Sequence, residues 1–285
     1  MDKTRYNPHT FFSITQPFRR GLRNTEPINM KNFKFIAFAL FAVLACVSLA
    51  SCSDDDKDEP TPDVPKPSVE KRLTQLSRSY SYTYDIQYNS DGRIGKVVRK
   101  HNGQTDKTTT YTYSSSQISV TEAYDYGGSY TETYRLNNGL ISELQGEASY
   151  SYDGGRISKW REDDGSNKTF EWSMGDIVKT ATKWSDEPTT YRATYGYSDK
   201  YDYGRIVGIV VDSNAMLYDD FEPYLLMQGF YGTTPIHLPQ DASDGYGNDY
   251  AWSYEFDADG YPTSVTEYID GRKKHTITFT WEVIK

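Results

Sequence analysis

One short pattern recurs along this chain and limits what it can fold into. Two aromatic residues one apart are followed by a turn rich in Gly, Asp or Asn, and then by a β-branched or aliphatic residue with polar neighbours. Tyr84 to Tyr88 precede Asp91-Gly92-Arg93-Ile94, Tyr111 and Tyr113 precede Gln117-Ile118, and Tyr134 and Leu136 precede Asn138-Gly139-Leu140-Ile141. The unit returns at Tyr150 and Tyr152 with Gly154-Gly155-Arg156-Ile157, and at Phe170 and Trp172 with Gly175-Asp176-Ile177. Tyr195 and Tyr197 with Gly204-Arg205-Ile206, and Tyr254 and Phe256 with Asp259-Gly260-Tyr261, complete it.

Alternation within the units is that of strands. Tyr80, Tyr82, Tyr84, Ile86 and Tyr88 share one face, with Ser81, Thr83, Asp85 and Gln87 on the other. Tyr250, Trp252, Tyr254 and Phe256 repeat this, as do Ile277, Phe279, Trp281 and Val283. Asp-Gly, Asn-Gly and Gly-Gly between such runs supply the positive φ of tight hairpins. The intervals between units are irregular, which predicts an all-β antiparallel meander curled into a barrel-like sheet rather than a strict solenoid. With 26 Tyr, 12 Phe and 5 Trp, the apolar bulk comes mainly from aromatics, which suit sheets.

The pattern breaks after residue 206. Leu217, Phe221, Tyr224, Leu225 and Gln228 are spaced three and four apart, predicting a helix over 213–229 that Gly229 ends. A Pro-punctuated apolar loop follows, and the insert 213–240 is expected to cover one open end or face of the sheet.

Ahead of the strands lies targeting sequence. Lys31 and Lys34 precede an apolar run, Phe35 to Val47, and small residues lead to Cys52, so 30–51 reads as a signal peptide. Residues 1–29 read as an upstream extension that does not belong to the natural start, which we place at Met30. Leu49-Ala50-Ser51-Cys52 resembles the lipobox of bacterial lipoproteins, which implies cleavage before Cys52 and acylation of its thiol. Two or more acyl chains exceed the marginal membrane affinity of one. The acidic run Ser53 to Glu59 resembles the export signal of outward-facing Bacteroidetes lipoproteins, and four prolines between residues 59 and 68 make 52–68 an extended tether. Residues 69–285 then form one domain.

Loss of residues 1–51 removes seven Lys/Arg of 31 and two Asp/Glu of 40, leaving a formal charge of −14. Such a chain repels phosphate backbones, which argues against nucleic acid. Both cysteines, Cys46 and Cys52, lie in or beside the leader, so the domain is expected to have no disulfide and no thiolate metal site.

Familiar catalytic signatures are absent. Gly245-Tyr246-Gly247 reads as a loop, and His101, His237 and His275 are too scattered for a metal clip. Asp257-Ala258-Asp259-Gly260 suggests a calcium loop, but twelve-position counting from Glu255 ends on Thr266 rather than Glu, so it reads as a turn. Glu162-Asp163-Asp164, and Asp219-Asp220 with Glu222, could supply paired carboxylates for glycoside hydrolysis, although solvated turns are the commoner use of such clusters. The remaining candidates are aromatic: Trp160, Trp172, Trp184, Tyr124 and Tyr126 fall where strands meet turns and could stack on sugars or peptide side chains. No cofactor or metal is expected. The reading is a non-catalytic surface module binding a glycan or peptide, with a structural partner of an outer-membrane complex and a polysaccharide-acting enzyme as alternatives.

Together the Ser-Asp-Asp-Asp leader, the Asp-Gly-Arg-Ile hairpins, Gly229-Phe230-Tyr231-Gly232 with Ile236-His237-Leu238-Pro239, and Tyr254 to Pro262 resemble a Bacteroidetes family. These are surface lipoproteins with a domain of unknown function described as porin-like in fold. The resemblance implies a curled or barrel-like sheet and no assigned activity. A membrane-spanning strand needs an aliphatic outer face, whereas the faces opposite the tyrosines carry Ser, Thr, Asp, Gln and Lys, which favours a water-soluble sheet on a lipid tether.

Overall fold

The computed structural model describes residues 64–79, 81–211, 217–218 and 221–284. Cys52, the leader, most of the tether, Tyr80, Asp219 and Asp220 lie outside them.

Among the described residues, sixteen antiparallel strands close into one barrel in plain sequence order. The first eight are β1 (Lys71–Arg78), β2 (Tyr82–Tyr88), β3 (Ile94–His101), β4 (Gln104–Tyr113), β5 (Gln117–Tyr124), β6 (Ser129–Asn137), β7 (Leu140–Leu144) and β8 (Ala148–Asp153). They are followed by β9 (Arg156–Glu162), β10 (Asn167–Ser173), β11 (Asp176–Lys183) and β12 (Thr190–Tyr201). After the insert come β13 (His237–Ser243), β14 (Asp249–Phe256), β15 (Pro262–Ile269) and β16 (Arg272–Val283). β1 pairs with β16 from Lys71 opposite Val283 to Arg78 opposite Ile277, which removes both sheet edges. Every strand therefore finds both neighbours within residues 71–283, and this unit folds on its own.

Residues 64–70 and the end of β16 lie at one rim, termed proximal, together with the turns that follow even-numbered strands. Turns following odd-numbered strands form the distal rim. Several turns are two-residue loops with both φ positive: Asn102-Gly103, Asn138-Gly139, Gly154-Gly155, Met174-Gly175 and Asp270-Gly271. Met174 adopts φ +49° in a place better suited to Asn or Gly, on an exposed tip. Met174→Asn should raise the midpoint of thermal unfolding, by the equivalent of roughly 0.5–1 kcal/mol; an unchanged or lower midpoint would count against strain at this turn.

The recurring unit has a structural cause. At the proximal end of most hairpins the partner strand carries a bulge, so Tyr88 faces Ile94 while Gln87 faces Lys96, and Tyr152 faces Ile157 while Ser151 faces Lys159. The skipped residue resets the alternation. Ile94 and Val97, Ile141 and Leu144, and Ile157 and Trp160 all face inward although three positions apart. In most units one aromatic, usually the second, then reaches back across the sheet. Tyr88 Oη donates to Leu73 O (2.8 Å), Tyr113 to Ile94 O (2.7 Å), Tyr152 to Ile141 O (2.6 Å), and Tyr197 to Ile177 O (2.9 Å). Tyr254 does so to Pro239 O, while Trp172 and Trp281 use the indole N–H toward Ile157 O and Pro262 O. Each such bond is worth about 1 kcal/mol net, and it satisfies a carbonyl that the bulge leaves out of the ladder.

The described residues of the insert between Asp202 and Ile236 occupy the barrel's interior. Their contacts fall on strands all round the circumference, and only the lumen reaches them all. Arg78 on β1 donates to Ile209 O, Tyr111 on β4 to the Glu222 carboxylate (2.8 Å), and Ile141 N on β7 to Phe230 O (2.8 Å). Phe221 stacks edge-on against Tyr150 of β8 (5.5 Å) and Phe170 of β10 (5.9 Å). Ile206, Val207, Leu217, Leu225 and Tyr231 are wholly buried there.

The described insert residues lie against the sheet's inner face, in the lumen, and the last of them close the proximal rim. A four-residue helix, α1 (Val207–Val210), precedes the segment expected to be helical, and within 213–229 the described residues hold one helix, α2 (Pro223–Met227). Pro223 sits at the first helical position and Glu222 caps the start, accepting from Leu225 N (2.7 Å), which sets where α2 begins. Gly229, at φ +81°, ends it as expected. Gly204-Arg205-Ile206 is likewise the entrance to the insert, not a hairpin turn.

Candidate functional site

Inward and outward faces divide the chemistry. On β8 and β10 the outward residues are Ser149, Ser151, Thr169 and Glu171, all exposed, between inward Tyr150, Lys168 and Phe170. On β14 and β16 they are Ser253, Glu255, Thr278 and Thr280. The large apolar side chains that are exposed among the described residues are Val64, Tyr126, Met174, Tyr246, Val283 and Ile284. Five lie outside the strands and the sixth, Val283, ends β16, so among the described residues no apolar belt surrounds the barrel.

The proximal rim is locked. Asp202 Oδ1 and Oδ2 accept from Ile206 N (3.0 Å) and Val207 N (2.9 Å), and its own N–H donates to Ile236 O (2.8 Å), joining the insert's two ends. Asp176 accepts from Ile236 N, His237 N and His237 Nδ1 within 3.0 Å. Burial raises the Asp202 carboxyl to about 6, against the lowering effect of its backbone donors. A shallow cleft of about 490 Å³ beside it is lined by Tyr201, Tyr203, Phe256, Asp257 and Asp259 among others. Its three carboxylates are all paired: Asp257 and Asp259 both hold the Lys71 ammonium (2.7 and 2.6 Å), Asp199 lies 3.3 Å from the Lys200 ammonium, and Asp257 also accepts from Asp259 N and Tyr261 N. The suspected calcium loop is thus a turn clamped to the root of the tether.

Within the lumen, Glu222 retains some residue exposure, but its carboxyl is enclosed between Tyr111 Oη and Leu225 N. Burial raises it to about 7, opposed by those two hydrogen bonds. A carboxyl held above its ordinary value stabilises the fold fully below that value, near 4.5, and the contribution is lost as pH rises through about 7. Wild-type stability should therefore fall by about 2–3 kcal/mol between roughly pH 5 and pH 8, part of it from Asp202. Glu222→Gln keeps an acceptor for Leu225 N and turns its amide N–H toward Tyr111 Oη, which can accept in its turn, and it should flatten most of that slope in urea titrations. An undiminished slope in the variant would remove Glu222 as its source.

Toward the distal end the inner wall turns polar. Lys168 is fully buried with its ammonium 5.8 Å from the Trp160 ring, and Glu267 pairs with His275 (3.2 Å). Burial pushes the Glu122 carboxyl up, but the Lys107 ammonium and the Tyr124 and Tyr130 hydroxyls outweigh this and hold it below its usual range.

The aromatic candidates divide accordingly. Trp160 is 1% exposed inside the barrel, and Trp172 is half-buried with its indole committed to Ile157 O. Trp184, Tyr124 and Tyr126 stand at the distal rim. Tyr126 is 82% exposed and leans on Tyr124 (5.1 Å), while Trp184 donates to Tyr246 Oη (3.2 Å) and meets Trp160 edge-on (6.4 Å). Sequence reasoning passed over Tyr191 and Tyr246, which stack at 4.2 Å beside Trp184. Gly245-Tyr246-Gly247 had been read only as a loop, and a lone aromatic between two glycines at a hairpin tip was the available signal.

Of the acidic clusters, Asp163 and Asp164 lie exposed on a distal turn, and Glu222 lies in the lumen. Among the described residues no group of three or more His, Cys, Asp or Glu is placed to hold a metal ion. The distal rim is therefore where exposed aromatic surface collects, at the end opposite the tether.

No protein-family model and no curated protein matches this sequence. Among solved structures, the chain is similar to a porin-like protein from Bacteroides uniformis, with a TM-score of 0.54 and 17% identity over 74% of this chain and 98% of that one. The likeness is one of fold, and the porin-like sheet implied by the sequence is a closed, plugged barrel.

Proposed function

We propose that this chain is a lipid-anchored surface protein of the outer membrane, whose sealed barrel conducts nothing and presents its distal rim to a ligand. The observation that carries this reading is polarity along the barrel axis: the tether root is clamped at one rim, and the exposed aromatics stand at the other. A wet outer wall and a filled lumen suit a module held in water above the bilayer rather than a channel within it. Cys52 provides the anchor, and the acidic run after it directs the domain outward. The absence of free paired carboxylates in the described clefts weighs toward binding over catalysis.

Two measurements test the proposal. Cys52→Ser should move the protein from the membrane to the soluble fraction. On glycan and peptide arrays the domain should bind, and a Tyr126→Ala/Trp184→Ala double variant should not, whereas Ser151→Ala on the outer wall should bind normally. Equal binding by the double variant, or none by the wild type, would refute the display reading.

A further inference from the structure

Resting on that reading, one part of the distal rim differs from the rest in chemistry. Trp184 follows β11, Tyr191 opens β12, and Tyr246 forms the tip between β13 and β14, yet the three rings meet as one cluster. Two of their three polar groups already donate to neighbours. The Trp184 indole donates to Tyr246 Oη, and Tyr191 Oη donates to the Glu187 carboxylate. Ring faces and edges are what this cluster offers to a ligand, with Tyr246 55% exposed.

Carboxylates ring it. Asp186 and Glu187 lie on the same loop as Trp184, and Asp163 and Asp164 lie on the neighbouring β9–β10 turn. That turn is fixed to the loop by Ser185 Oγ donating to Asp164 (2.9 Å) and Ser185 N donating to Ser166 Oγ (3.0 Å). The carboxylates therefore hold a set position beside the rings. Nearby cations point elsewhere: Lys183 and Arg192 alternate with inward Thr182 and Ala193 and so face the outer wall. The basic residues Arg272, Lys273 and Lys274 belong to the β15–β16 hairpin, beyond β14.

We propose that the Trp184, Tyr191 and Tyr246 cluster, with Asp163, Asp164, Asp186 and Glu187, is a docking site for a cationic peptide segment. Aromatic faces attract ammonium and guanidinium groups through the ring quadrupole, and flanking carboxylates add charge complementarity. A neutral sugar gains nothing from the surrounding negative charge, whereas a cationic peptide does, so charge complementarity selects the peptide.

The test is titration of pentalysine amide into residues 64–285, beside its fully Nε-acetylated counterpart and a neutral maltooligosaccharide. Pentalysine should bind, about tenfold more weakly when NaCl rises from about 20 to about 200 mM. Trp184→Ala should weaken it at least about fivefold, as should Asp163→Asn with Asp186→Asn, whose exposed side chains can change without unfolding the barrel. Ser151→Ala, on the outer wall, should leave pentalysine binding unchanged. Equal affinity for the acetylated peptide would overturn the proposal. So would maltooligosaccharide binding that is lost with Tyr126→Ala, although the rim would then remain a ligand face. If none of the three probes binds and the arrays are also blank, the display reading falls with it.

Discussion

Gly232→Ala should destabilise the domain by about 3–4 kcal/mol, seen as a drop of roughly 10 °C in the unfolding midpoint. The residue sits at φ +83°, where an L side chain costs about 1–2 kcal/mol. A Cβ there would also stand 2.2 Å from Gly155 O, a backbone atom that cannot swing aside. Relief would require the insert to lift off the β8–β9 turn, breaking the Thr233 N to Gly155 O bond (2.9 Å) and the bridge between Arg156 and Thr233. Limited proteolysis should then cut within 202–236 before it cuts the strands. A change under about 1 kcal/mol would mean that the insert is not seated as described.

Phe221→Ala should cost about 3–5 kcal/mol, the usual range for removing a buried aromatic. Phe221 is 6% exposed and touches Tyr150, Phe170, Tyr218 and Tyr231 with ring centroids 4.7 to 5.9 Å away. These partners come from both wall and insert, so the cavity cannot close by moving one element alone. Near-UV circular dichroism should weaken along with stability, because the lost packing is aromatic. A small effect on both would indicate that the lumen is wet at this point, and Phe221→Leu, which retains apolar volume, should recover much of the loss.

Strand identity was legible because it is written in alternation. Tyr82 to Tyr88, Tyr250 to Phe256 and Ile277 to Trp281 fall where period two places them. Hairpin turns were legible because positive φ selects Asn and Gly. Barrel closure was not, because it rests on Lys71 meeting Val283 more than two hundred residues away, and no local pattern encodes that contact. Bulges hid the facing of particular residues: Trp160 reads as a strand-end aromatic until the bulge at Ser158 turns it inward opposite Tyr150. The insert's destination was half visible. Ile206, Val207, Ile209, Val210 and Val211 are apolar on every side, which marks a segment enclosed by protein rather than laid over a surface.

The distal site was harder to see, since Trp184, Tyr191 and Tyr246 belong to two different loops and meet only when β11 to β13 align. Single-sequence spacing registers the two tyrosines 55 positions apart, whereas the barrel stacks their rings at 4.2 Å. The proximal clamp of Lys71 on Asp257 and Asp259 escaped for the same reason.

We propose a closed barrel whose lumen is packed by the described insert residues and whose polar outer wall stands in water. Sedimentation velocity of residues 64–285 in detergent-free buffer tests it most directly. A single compact monomer is the predicted result. Aggregates that disperse into monomers only on adding detergent micelles would contradict it.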